Sequence, residues 1–82
     1  MKMIEVKNSS NLRALGYDSE TRQLEAHFKG GGQYKYDEVP RDLWEEIDDL
    51  IRRRNEGEDV SVGSSFYKKV IKGGFKYEKI AD

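Results

Sequence analysis

Cysteine is absent from the sequence, so no disulfide framework, thiolate metal site or thiol nucleophile is available to this chain. That suits a reducing, cytoplasmic setting. Histidine occurs once, at His27, and proline once, at Pro40. One imidazole and no thiol cannot supply the clustered ligands that zinc or a transition metal needs, and the carboxylates show no calcium-loop spacing. No cofactor is therefore expected. Long apolar runs are missing too: nowhere do about 18 apolar residues follow one another, and Glu5 interrupts the short apolar stretch at the start. Neither a membrane span nor a secretory leader is expected, and no membrane partner.

What remains is 82 residues, enough for one domain over residues 1–82 with its core at about 6–80. A chain of this size buries only roughly 60% of its unfolded surface, so a partner contact would add usefully to its stability. Hydrophobic residues make up 35% and charged residues 38%. Scattered, such a composition would favour disorder, but the apolar residues are strongly patterned. The formal net charge of −1 conceals an uneven distribution. Residues 61–80 hold Lys68, Lys69, Lys72, Lys76 and Lys79 against Glu78 alone, whereas residues 40–59 hold eight acids against four arginines.

Period-two alternation over residues 12–36, punctuated by turn residues, predicts a three-stranded antiparallel meander. Leu24, Ala26 and Phe28 share one face of the middle strand and Glu25 and His27 the other; Tyr34 and Tyr36 share a face opposite Gln33 and Lys35. The first strand alternates less cleanly, with Leu15 and Tyr17 on one side and Leu12 and Ala14 on the other. Residues 18–21 form a tight loop, and Gly30, Gly31 and Gly32 supply positive φ for a second turn. No Gly-Lys-Ser/Thr and no helix start follow the glycines, which disfavours a phosphate cradle.

The period then becomes helical. Leu43, Trp44, Ile47, Leu50 and Ile51 form one stripe, Pro40 suits the first helical position, Arg52, Arg53 and Arg54 suit the negative end, and Gly57 suits the stop. A connector over residues 56–65 leads to a short C-terminal helix with Phe66, Tyr67, Val70 and Ile71 on its apolar face, capped by Ser64 or Ser65 and ended by Gly73 and Gly74. Phe75 and Tyr77 offer a fourth short strand. The expected fold class is α+β: a three-stranded meander, with that fourth strand as an option, packed against one main helix plus a short C-terminal helix.

His27 lies on a polar strand face beside Glu25 and Lys29 and reads as a surface histidine. Ser9, Ser10, Ser64 and Ser65 have no evident basic partner, so no catalytic residue is assigned and the protein is expected not to be an enzyme. Asp48 and Asp49 lie one turn before Arg52 and Arg53, which favours a charge-complemented helix end over a phosphate site. The period of Phe28, Tyr34, Tyr36 and Trp44 favours core packing, although Tyr34 and Tyr36 as a half-buried pair would suit base stacking. Lys68, Lys69, Lys72 and Lys76 are the strongest local signal: on one surface they would bind phosphates with marked salt sensitivity, and otherwise they simply solubilise an exposed face.

Ser9-Ser10-Asn11-Leu12, Gly16-Tyr17-Asp18, Leu24 through Phe28, the glycines before Tyr34-Lys35-Tyr36, Val39-Pro40, and Ser61-Val62-Gly63 with Phe66 and Ile71 together form a recognisable pattern. It resembles the KTSC domain, a short module named for its place at the C-terminus of some lysyl-tRNA synthetases and found alone in small bacterial and phage proteins. The resemblance spans roughly residues 6–80. The linker over residues 52–60 is longer and more charged than the usual pattern, and Ser64-Ser65 replaces basic or aromatic residues. Attachment to a tRNA-handling enzyme implies an RNA partner, tRNA-like or single-stranded; the charge and strand patterns then assign Lys68, Lys69, Lys72 and Lys76 to phosphates and Lys35 with Tyr34 or Tyr36 to the base side. The alternative is a protein-interaction module or phage or host accessory factor that exploits the bipolar charge.

Overall fold

The computed structural model describes residues 1–81. Five strands, β1 (Met3–Glu5), β2 (Leu12–Asp18), β3 (Gln23–Phe28), β4 (Gln33–Tyr36) and β5 (Tyr77–Ala81), form one antiparallel sheet in the order β1-β2-β3-β4-β5. Helix α1 (Arg41–Asn55) and the short α2 (Val62–Phe66), which continues into a π-helical turn over Tyr67–Ile71, connect β4 to β5. The class is α+β, as the patterning predicts. The sheet is wider than the expected three or four strands: the optional last strand is present, and β1 adds a further one by pairing Met3 with Gly16 and Glu5 with Ala14. A three-residue strand carries too little alternation to be visible in sequence. Its pairing requires Gly16, where a Cβ would come within 2.5 Å of the Met3 sulfur and 2.8 Å of the Lys2 carbonyl oxygen.

The uneven alternation of β2 has a cause. Leu12 pairs with Phe28 and Ala14 with His27, a β-bulge that places one extra residue on β2. The bulge returns Leu12 to the face of Leu15, and both are fully buried rather than facing opposite ways. This inner face carries Leu24, Ala26 and Tyr36 and is covered by Ile47 and Ile51 of α1 and by Val62, Phe66 and Val70. Burying such side chains contributes roughly 1.5–3 kcal/mol each. Tyr17 stacks on Trp44 at 5.4 Å and donates its hydroxyl to the Val39 carbonyl at 2.6 Å, fixing the entry to α1.

Pro40 sits one place earlier than expected, as the N-cap of α1. Asp48 and Asp49 pair with Arg52 and Arg53 at 3.2 and 3.7 Å, the charge-complemented helix end read from the spacing. Gly57, at φ +101°, ends the helix. The second helix starts earlier than expected: Ser61, not Ser64 or Ser65, is its cap, accepting the Ser64 backbone N–H at 3.1 Å. The π turn then alters which residues face inward. Val62, Phe66 and Val70, spaced by four, form the buried column, while Tyr67 and Ile71, expected on the apolar face, are 49% and 42% exposed.

Candidate nucleic-acid interface

Two concavities flank the outer face of the last helix. The first, a polar cleft of about 600 Å³, is built from the loop before β2, the end of α1 and the start of α2. It draws together Ser9, Asn11, Ser61 and Gly63, residues that lie far apart in the chain and that carry the sequence resemblance. Ser9 Oγ accepts the Leu12 N–H at 3.1 Å and lies 3.4 Å from Asn11 Oδ1. Gly63 is required there, since a Cβ would meet Asn11 Oδ1 at 2.9 Å. Arg54 turns away from the helix-end pairing, donates to the Asn8 carbonyl at 3.0 Å and lies 3.6 Å from an Asp59 carboxylate oxygen. Its charge is thus partly met within the chain.

The second is a groove of about 700 Å³ between the β4–β5 end of the sheet and the π turn, lined by Phe28, Gly30, Gly32, Tyr34, Tyr36, Ile71, Tyr77 and Lys79. Its floor is an aromatic cluster in which Phe28 meets Tyr34 edge-on at 5.7 Å and Tyr77 lies 6.1 Å from Tyr34 and 5.8 Å from Tyr36. Antiparallel pairing of Tyr36 with Tyr77 and of Tyr34 with Lys79 sets all four side chains on the groove side of the sheet. Gly31, at φ +109°, makes the β3–β4 turn at the groove rim.

The expected site residues fall into separate places. Lys68 and Lys72 stand on the outer face of the last helix, one turn apart, with Lys72 Nζ 5.5 Å above the ring of Tyr67. Lys69 instead reaches back to Glu46 of α1 at 3.2 Å. Lys76 lies just before β5, in a shallow pocket with Asp37 and Glu38. Lys35 is paired across the sheet with Glu25 and Glu78 and so points away from Tyr34. Tyr34 is partly exposed in the groove, whereas Tyr36 is 5% exposed and belongs to the core. Burial first, then the neighbouring Tyr34 and Tyr77, push the Tyr36 hydroxyl above its ordinary pKa. Lys68, Lys72 and Tyr34 thus share one side of the molecule, and the other four are placed elsewhere or engaged.

Sequence reasoning did not single out Tyr77, Ile71 or Lys79 as site residues. Alternation in the last strand does put Tyr77 and Lys79 on one face, but only the pairing of β5 with β4 brings that face beside Tyr34. His27 contacts Glu25 on the outer face of the sheet, away from both concavities. Among the described residues, no group of three or more His, Asp or Glu side chains could hold a metal ion, and no helix is long and apolar enough to cross a membrane.

Comparison with known proteins bears on the family and the fold. The family model of the KTSC domain matches residues 8–50. An uncharacterized protein from Stutzerimonas stutzeri is 41% identical over 59 residues, covering 68% of this chain and 82% of that one. Lysine–tRNA ligases from Trichormus variabilis and Nostoc sp. are each 31% identical over 72 residues; the match takes in 88% of this chain but only 11% of either ligase. The crystal structure of a KTSC domain protein from Yersinia pestis superposes with a TM-score of 0.74 at 33% identity, covering 96% of both chains. The protein belongs to the KTSC domain family.

Proposed function

We propose that this protein is a small non-enzymatic module that binds RNA or a related single-stranded nucleic acid along the outer face of its last helix. One observation carries the reading: the π turn leaves Tyr67 and Ile71 exposed beside Lys68 and Lys72, and this mixed apolar and cationic strip leads into the aromatic groove at Tyr34 and Tyr77. Exposed aromatic rings flanked by lysines are what backbone-tracking, base-stacking proteins present. Two relatives are lysine–tRNA ligases, which act on tRNA, and the matched stretch is a small part of each. Lys69, held by Glu46, and Lys76, in a separate pocket beside Asp37 and Glu38, stand apart from this strip and contribute less than Lys68 and Lys72.

The test is an amide NMR titration with bulk tRNA and with a mixed single-stranded oligonucleotide, at low and at physiological salt. Expected are shifts confined to residues 67–79 and the Tyr34 strand that weaken as salt rises. Lys68→Glu with Lys72→Glu should flatten the plot of log affinity against log salt by about 1.4, two phosphates at about 0.7 each. Absence of shifts at low salt would overturn the reading. A protein-interaction module is the second reading, favoured by the exposed edge strand β5 with Tyr77 and Ile80 on its surface and by the acidic outer side of α1. A basic partner moving the amides of residues 42–49, with tRNA moving none, would select it.

A further inference from the structure

We infer that the groove beneath Tyr77 is a pocket for one unpaired nucleobase, which rests on the nucleic-acid reading and deepens it. Tyr77 is 63% exposed, and its ring leans on Tyr34 and Tyr36 at 6.1 and 5.8 Å, so the tyrosine cluster holds it in place while much of the ring surface faces solvent. Ile71, 42% exposed, lines the same groove. A flat ring seated there meets apolar surface from both residues, and the volume of about 700 Å³ lies within the range of small-ligand pockets. The glycine-rich β3–β4 turn keeps the mouth open: Gly32 is so close to Tyr34 that an added Cβ would stand 3.0 Å from the ring.

Charge selects the occupant. Lys68 and Lys72 flank Ile71, which lines the groove, on the same helix. A purely apolar ligand gains nothing from these cations, whereas a nucleotide has a stacking face for Tyr77 and a phosphate for the lysines at its edge. A base held inside a duplex cannot reach the floor, so the pocket makes the protein discriminate single strands from duplex.

Affinities of the full chain for a uniform single-stranded octanucleotide, the same strand with one central abasic site, and a duplex of equal length provide the test, with folding of each variant checked by circular dichroism. Tyr77→Ala should weaken octanucleotide binding about 5- to 150-fold, the range for loss of one stacked base, leave duplex binding unchanged, and be rescued by Tyr77→Trp. If Tyr77→Ala binds like the parent while Lys68→Glu with Lys72→Glu loses binding, the base pocket is wrong and the nucleic-acid reading stands. If the parent chain binds none of the three, the nucleic-acid reading itself falls and the pocket with it.

Discussion

Tyr34 and Tyr36 lie two positions apart on one strand and face the same side of the sheet, yet their surroundings differ. Phe66 packs edge-on against Tyr36 at 5.7 Å and closes it into the core, while Tyr34 stays open at the groove. The consequence is measurable at high pH. Below about pH 10 the Tyr36 hydroxyl is protonated in folded and unfolded chains alike; above it the unfolded chain ionises first, because burial raises the folded value. Stability is therefore intact below the unfolded pKa and is lost as pH climbs through the folded one. Denaturant midpoints taken from about pH 9 to 11 should fall, and Tyr36→Phe should make that fall shallower. Alternation alone assigns both tyrosines to one face. Their unequal burial depends on where the second helix ends, which strand periodicity does not contain.

At the scale of elements, α1 was legible because its signals agree: an apolar stripe, acids near its start, three arginines in the last turn and Gly57 beyond. The second helix was less so. It spans only Val62–Phe66 before widening into the π turn, and its cap is Ser61, three or four residues before Ser64 and Ser65, which the sequence suggested. Ser61→Ala removes the acceptor for the Ser64 N–H and should cost about 1 kcal/mol, read as a lowered thermal midpoint, while Ser64→Ala and Ser65→Ala should each cost less. The shift of start and the π turn together move Tyr67 and Ile71 from the expected buried face to the surface. Helical-wheel reasoning assumes 3.6 residues per turn and so misplaces side chains wherever the turn widens.

At the scale of the whole molecule, the N-terminal segment is tied to the end of α1 by tertiary contacts. Asn55, the last residue of α1, donates from Nδ2 to the Glu5 carbonyl at 2.9 Å and accepts the Lys7 N–H at the same distance. Asn55→Ala removes both contacts and should destabilise the fold by about 1–2 kcal/mol. Its amide hydrogen exchange should rise first in β1 and the following loop, not in α1. The same closure shapes the polar cleft, because Arg54 binds the Asn8 carbonyl one residue away from this clamp. The bipolar charge seen in sequence is partly neutralised internally: Glu46 meets Lys69, and Lys76 lies with Asp37 and Glu38.

The sequence by itself determined the α+β class, the β2–β3–β4 meander with its turns, the main helix and its charge pairing, and the family resemblance, because each is written in contacts between near neighbours or in strict periodicity. Tertiary structure alone decided the N-terminal strand β1, the convergence of residues 9–11 with residues 61–63 in one cleft, the separation of Lys35 from Tyr34, and the groove that joins Tyr34, Ile71, Tyr77 and Lys79. These depend on which distant segments pair, and pairing is selected by burial of the whole apolar surface at once rather than by any local pattern.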